Sequence, residues 1–263
     1  MESLSRRHHK GVFDDFTAAV AERCLPTDMI SNAIILSQSA LWKHRMIRSP
    51  STSRKAEVTP PPEGRLVAIE WHILEHILEL HRALLEVGRD ELKVPPPKDA
   101  PGDDLAQYIT AAFRRTLPAH RIASKWMRAN AKYLMPDHEF DAYQATKHTE
   151  GVEISRNMEY QYSRSSTSTR QFWRSYAEFM TSLSSKFPVA RLPSFTAPLE
   201  EDIEMRGFLP LKNLMGTVLE PVGEGEKSLA GPQQAQEVHP NDWQLMRIAD
   251  LLNDAKELVA IQV

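Results

Sequence analysis

The sequence predicts an all-α protein built from stacked helical hairpins, with an organisation like that of an α-solenoid. Residues 65–92 place their apolar side chains within about half of a helix circumference, so this helix needs neighbours on two sides. Residues 170–187 and 241–260 carry aromatic or aliphatic stripes at helical spacing. No segment shows the alternation of a strand, an internal repeat or a coiled-coil heptad.

The remaining elements follow in chain order. Residues 13–23 and 28–47 predict two helices, and the polar run 48–64 separates them from the long helix 65–92. A helix over 103–116 is expected to end at Leu117, because Pro118 suits the first turn of a following helix, 119–135. The polar run SRSSTSTR at 163–170 predicts a flexible loop before the aromatic helix.

The stretch 187–211 contains four prolines and many large apolar residues. Each proline fixes its own φ, removes a donor and disfavours the α region at the preceding residue, which excludes a long helix. An apolar segment without helical structure needs a groove made by other elements. We therefore predict an extended proline-rich strap packed on the helical body, with the acidic run 200–204 facing solvent or capping a short turn.

The composition excludes several classes of protein. The chain has 263 residues, a formal net charge of −3 and a single cysteine, Cys24. One cysteine excludes an intrachain disulfide and a cysteine zinc site, which fits a reducing cytosolic or nuclear setting. No apolar run approaches the roughly 18 residues of a membrane span, so we expect a soluble protein without a membrane partner.

These signals divide the chain into four expected parts. Residues 1–64 form an N-terminal helical segment with a flexible linker, and residues 65–215 form a helical domain that includes the strap. Residues 216–239 are rich in Gly, Pro and Gln and predict a second linker. Residues 240–263 form a C-terminal helix that packs on the helical domain.

The segment LEEDIEMRGFLPL at 199–211 resembles the signature of one protein family. That family comprises the telomerase-associated "ever shorter telomeres" proteins and the related scaffolds of nonsense-mediated mRNA decay. Further segments look like the family's other blocks: ILELHRALLEVG at 77–88, LPAHRIASKWM at 117–127, FWRSYAEFMTSLSSKFP at 172–188 and HPNDWQLMRIADLLNDAKEL at 239–258. The similarity covers most of 65–260 and belongs to the family's DNA/RNA-binding-domain segment. The 14-3-3-like tetratricopeptide part is not found.

The resemblance implies a function without catalysis. It implies a scaffold of mRNA decay or telomere maintenance, partnered by decay or telomerase proteins and by RNA or DNA, in the nucleus and cytoplasm. It assigns a structural role to signature residues, which are Glu201, Asp202, Glu204, Arg206, Gly207, Phe208, Pro210 and Leu211. We expect no cofactor and no small-molecule substrate. The alternative is a helical protein–protein interaction module with no nucleic-acid role.

A basic stripe is the strongest candidate binding feature. Between 114 and 132 the chain has six Lys or Arg residues and no Asp or Glu, and four of the six recur at helical spacing. Such a stripe attracts phosphates. Its residues are Arg114, Arg115, Arg121, Lys125, Arg128 and Lys132. The other interpretation is a solvated face, or one that pairs with the acidic run 200–204.

Two smaller features complete the candidates. His72, Glu75 and His76 match H-x-x-E-H, a zinc-protease motif, but we favour histidines on the flank of a buried helix and expect neither metal nor catalysis. Arg206 lies among acidic residues, and we predict that it is buried, pairs with them and pins the strap.

Overall fold

The computed structural model describes residues 2–48, 64–97, 104–134, 156–194, 198–215 and 238–261. Regular elements within these ranges are all helical, so the predicted all-α class is confirmed. They are α1 Glu2–Ala21, α2 Thr27–Arg48, α3 Gly64–Leu92, α4 Ala111–Ala129, α5 Ala131–Leu134, α6 Arg156–Lys186, α7 Glu200–Glu204 and α8 Pro240–Ile261. Short 3₁₀ turns lie at Leu105–Tyr108, Val189–Arg191 and Leu209–Leu211. None of the described helices has the length and apolar character that crossing a bilayer requires.

Helix α3 lies at the centre of the fold. It packs most extensively on α6 and also contacts α1, α2 and α4. Helix α4 packs in turn against α2 and α8. The wide apolar arc of α3 is accommodated because it meets several neighbours, and Leu74, Ile77 and Leu84 expose at most 2 % of their surface.

Two predicted helix boundaries are wrong. Helix α4 runs unbroken through Pro118, which lies in its interior and not at the start of a new helix. The hydrogen bond lost at a proline is offset here because Phe113, Leu117 and Ile122 form one continuous buried face on both sides of it. The run 163–170 continues α6 in place of the predicted loop, since extending an existing helix costs far less than nucleating one.

The predicted strap is not confirmed. Segment 187–211 forms two 3₁₀ turns and the short helix α7, apart from residues 195–197, which lie outside the described ranges. Pro188 precedes the first of these turns and Pro210 lies at the start of the last, where a missing N–H disrupts no helical bond. The segment is anchored by Phe187, Leu199 and Leu211, each of which exposes at most 1 % of its surface.

The N-terminal helices pack on the same body, as α1 contacts α3 and α2 contacts both α3 and α4. Residues 49–63 and 216–237, which contain most of the two predicted linkers, lie outside the described residues. The predicted division into four parts therefore stays a prediction.

Gly88 lies at a tight contact of α3 with α6 and α4. A Cβ atom at this position would lie 2.7 Å from Phe179 Cε2 and 3.1 Å from His120 Nε2. We expect Gly88→Ala to destabilise the fold by about 1–3 kcal/mol, because overpacking outweighs the helix propensity that alanine adds. Urea unfolding measures the change.

Gly11 in α1 provides the matched control, because a Cβ there would meet nothing within 4 Å. Gly11→Ala should stabilise the protein by about 0.5–1 kcal/mol through backbone entropy alone. If both glycine variants gained stability, the tight α3–α6 contact would be disproved.

Candidate functional site

Helices α4 and α8 run parallel to each other in constant register. Arg114 donates to Asn241, Arg121 to Asp250 and Arg128 to Glu257, at sequence separations of 127, 129 and 129 residues. The cations of α4 therefore meet the carboxylates of α8 one turn after another. We call the whole set of ion pairs the charge ladder; its members are Arg121, Lys125, Arg128, Arg247, Glu201, Asp202, Asp250, Asp254 and Glu257.

Arg121 is the centre of the charge ladder. Its guanidinium exposes only 2 % of its surface and donates to three carboxylates, with distances of 2.8 Å to Glu201, 2.9 Å to Asp202 and 2.8 Å to Asp250. The planar fork of an arginine can satisfy several acceptors at once, which a lysine ammonium cannot do in the same plane. This one side chain thus joins α4 to α7 and α8.

Lys125 and Arg128 continue the ladder toward the C-terminal end of α4. The Lys125 ammonium lies 2.7 Å from Asp250 Oδ1 and 2.8 Å from Asp254 Oδ1. Arg128 donates to Asp254 at 2.6 Å and to Glu257 at 3.1 Å. Asp254 is fully buried, so two cations neutralise a carboxylate that has no access to water.

Helix α7 is held from two sides. Arg247 of α8 forms a bidentate pair with Glu201, with N–O distances of 2.8 and 2.7 Å. The second carboxylate oxygen of Asp202 accepts from the Leu199 backbone N–H at 2.9 Å, which caps the start of α7. Asp202 therefore serves both the local turn and the tertiary contact, whereas Glu201 serves the tertiary contact.

The electrostatics of the ladder favour the ionised states of Arg121, Glu201 and Asp250. Burial alone raises the pKa of Glu201, but hydrogen bonds from Arg247 and the charge of Arg121 outweigh it and lower the pKa. Burial likewise opposes the ionised form of Asp250, and the charges of Arg121 and Lys125 lower its pKa. Burial disfavours the Arg121 cation, but Asp250, Glu201 and Asp202 together raise its pKa.

This geometry changes the interpretation of the predicted basic stripe. Arg121 and Lys125 expose 2 % and 4 % of their surface, so their predicted contact with phosphate is replaced by pairing with buried carboxylates. Arg128 also pairs within the ladder. Arg114 is half-buried beside Asn241, and Arg115 is exposed and donates to the Arg23 carbonyl. Their phosphate contact stays a prediction, as does that of Lys132, whose side chain lies outside the description.

The predicted role of Arg206 is wrong. Its side chain is exposed at the turn after α7, and Arg121 and Arg247 make the buried pairs that were expected of it. Helix α7 ends at Glu204, so Arg206 lies in the turn beyond it, where Gly207 has a positive φ of 80°. Among the other signature residues, Pro210 and Leu211 are buried, Phe208 is half-buried and Glu204 is exposed.

The H-x-x-E-H residues lie on the flank of α3. His72 exposes 57 % of its side chain, and its Nδ1 lies 3.8 Å from Glu75 Oε2. His76 is half-buried and has partners of its own. In the described part of the chain, no three His, Cys, Asp or Glu side chains are grouped to hold a metal ion.

Two buried histidines form a second internal cluster that the sequence did not indicate. His81 of α3 and His120 of α4 expose 2 % and 4 % of their surface. His120 stacks on Phe179 with centroids 4.9 Å apart, and His81 packs edge-on against Trp126 at 5.5 Å. Burial lowers the pKa of His81 to about 3, helped by the charge of His120, and burial lowers the pKa of His120 to about 3.

The alternative in which the basic stripe pairs with the acidic run 200–204 is met by Arg121, which pairs with Glu201 and Asp202, but sequence reasoning missed the carboxylates of α8. Asp250, Asp254 and Glu257 recur at i, i+4 and i+7 on α8, the spacing that Arg121, Lys125 and Arg128 have on α4. Matching these two spacings would have predicted a helix–helix contact and not a free basic surface.

The all-α architecture and its internal ladder define the chain as a helical scaffold. Comparison with known families then places it: the model of the Est1 DNA/RNA binding domain matches residues 66–214, more than half of the 263-residue chain. The chain belongs to this family, which confirms the resemblance seen in the sequence and makes it a helical scaffold of a nucleic-acid-binding family. No curated protein and no solved structure matches the chain.

Proposed function

We propose that this chain is a non-enzymatic scaffold that acts in nonsense-mediated mRNA decay or telomere maintenance and contacts RNA or DNA. It works in the nucleus and cytoplasm together with decay or telomerase proteins. The single observation that carries the proposal is the match of residues 66–214 to the Est1 DNA/RNA binding domain. A role in mRNA decay is preferred because most relatives of this kind serve there, which is an argument from analogy.

The architecture supports a scaffold role. Helices packed side by side present long surfaces without a catalytic centre. The charge ladder fixes α8 and α7 on α4, so the surfaces on either side of these helices keep a constant relative position. We also propose that Arg114 and Arg115, near the start of α4, contact phosphates, as the sequence predicts.

Binding of nucleic acid is the direct test. We expect the full chain to shift labelled single-stranded RNA or DNA in a gel, with affinity falling steeply between about 50 and 200 mM salt because phosphate contacts release counterions. Binding that does not depend on salt, or no binding to either nucleic acid, would exclude contact through phosphates.

A pull-down with and without RNase separates a nucleic-acid scaffold from the alternative protein module. Partners that are lost on RNase treatment are tethered by RNA, as the proposal expects for a decay scaffold. Partners that all survive RNase, combined with a negative gel shift, would instead support a protein–protein interaction module. The exposed Ile203 and Leu209 side chains, 58 % and 57 % accessible, lie on the surface such a module would use.

A further inference from the structure

We infer that the groove between the C-terminal ends of α3 and α6 binds single-stranded nucleic acid, with a phosphate on its cations and a base against Tyr108. This inference rests on the proposed function and assigns it a site. The groove has a volume of about 470 Å³. That volume falls within the roughly 300–1,000 Å³ typical of ligand clefts.

The groove is lined by cationic side chains from the end of α3 and from the end of α6. Arg89 lies in the last turn of α3, Lys93 is the first residue after that helix, and Lys186 is the last residue of α6. Ser182 and Ser185 of α6 also line it, and no Asp or Glu side chain does. A lining of three cations and two hydroxyls without a carboxylate favours an anionic ligand.

Lys186 removes the main electrostatic obstacle to an anion. The C-terminal end of a helix carries a partial negative charge on its unpaired carbonyls, and α3 ends in this groove. The Lys186 ammonium lies 2.6 Å from the Leu92 carbonyl oxygen and 3.1 Å from that of Val94. These carbonyls are therefore neutralised, and Arg89 and Lys93 are left to face a ligand.

The ion pairs that Arg89 and Lys93 already make are weak competitors. Lys93 pairs with Asp90 at 2.6 Å and Arg89 with Glu178 at 2.5 Å, but three of these four side chains expose about half of their surface or more. Exposed pairs contribute little free energy, so a phosphate can replace either carboxylate. Arg89 Nε is buried and has no hydrogen-bond partner in the described residues.

Tyr108 selects nucleic acid over other anions. Its ring lines the groove, and the Lys186 ammonium lies over the ring face, 5.0 Å from the centroid, a cation–π contact that a stacking base displaces. Aromatic rings beside lysines and arginines are how sequence-tolerant proteins hold single strands, because every base has a face that can stack. A phosphopeptide site would instead concentrate arginines on one phosphate, whereas this groove has a single arginine.

Anisotropy titration of the full chain with labelled single-stranded RNA and DNA of mixed sequence tests the inference. We expect Lys93→Glu to weaken binding about 10-fold and to reduce the salt slope by about 0.7 per lost phosphate contact. Tyr108→Leu keeps apolar packing but removes the stacking plane, and it should weaken binding about 10-fold while leaving the salt slope unchanged. Lys256→Glu, an exposed charge reversal on α8, should leave affinity within about 2-fold.

The outcomes separate the groove from the proposed function. If the wild type binds and both groove variants bind equally well, the groove assignment is wrong and the proposed function stands. An equal loss in Lys256→Glu would also overturn the groove, because it would reflect overall charge. A wild type that binds neither nucleic acid rejects both. If Lys93→Glu impairs only the binding of a phosphorylated peptide, the ligand is a protein. The Lys93 side chain is 68 % exposed, so we expect the Lys93→Glu variant to remain folded. A thermal melt of the variant checks this.

Discussion

Replacing Arg121 with methionine is expected to lower the free energy of unfolding by about 3–5 kcal/mol, because it leaves the buried Asp202 without a cation among the described residues and removes one of the two cations of Glu201 and of Asp250. Glu201 and Asp202 would stay buried at 3 % and 2 % exposure without their shared guanidinium. In a chain of this size the melting temperature should fall by about 10 °C. Urea unfolding measures the free energy, and circular dichroism follows the melt.

Arg206→Met is the matched control for this experiment. It makes the same substitution at an exposed arginine in the segment that Arg121 anchors, so its effect should stay within about 0.5 kcal/mol. A double-mutant cycle adding Asp250→Asn should show that the two losses are not additive, because Asp250 lies 2.8 Å from the Arg121 guanidinium. Equal effects of Arg121→Met and Arg206→Met would contradict an anchoring role for the charge ladder.

The helices of the core were predictable because their signal is local. The apolar arc of α3 and the aromatic stripe of α6 follow directly from residue spacing, which is what determines the buried face of a helix. The predictions failed where tertiary packing overrode local preference. Pro118 is a helix breaker by propensity, yet it lies inside α4 because the buried face continues past it.

The charge ladder shows why a site is harder to predict than a fold. A basic stripe has the same spacing whether it faces a phosphate backbone or an acidic helix. The choice depends on a partner more than 120 residues away in sequence, as the Lys125–Asp254 pair illustrates. The groove cations Arg89, Lys93 and Lys186 had no sequence signal at all, because they come together only when the ends of α3 and α6 meet.

The family signature also gains a physical meaning. Glu201 and Asp202 attach α7 to Arg121 and Arg247, while Leu199 and Leu211 bury the ends of the same segment. Arg206, Ile203 and Leu209 remain exposed. The acidic residues therefore attach the segment to α4 and α8, and the exposed Arg206 side chain is accessible to other molecules.

The buried histidine pair predicts a strong loss of stability in mild acid. Their pKa values fall from 6.5 in the unfolded chain to about 3 in the fold, so the unfolded state binds more protons at any pH between these values. The free energy of unfolding therefore has its full value above about pH 6.5, and it decreases as the pH falls toward 3. At about pH 5 each histidine costs about 2 kcal/mol relative to neutral pH, or about 4 kcal/mol together.

The structural cause is burial among aromatic rings, with no carboxylate paired to either imidazole in the described part of the chain. The Gln38 side-chain amide donates to His81 Nε2 at 3.3 Å, which an imidazolium N–H would oppose. His81 Nδ1 and His120 Nε2 have no acceptor in the described residues, and Phe113, Trp126 and Phe179 supply only rings. Protonation therefore places uncompensated charge in the core.

Urea unfolding at pH 7 and at about pH 5 isolates this effect from the charge ladder. The lowered pKa values of Glu201 and Asp250 mean that their contribution is present above their unfolded values of 4.5 and 3.8 and is lost only below them. His81→Gln and His120→Gln should each remove about half of the decrease between the two pH values, whatever they do to stability at pH 7. A wild type that loses less than about 1 kcal/mol, or a double variant that loses as much as the wild type, would show that the core admits charged histidines.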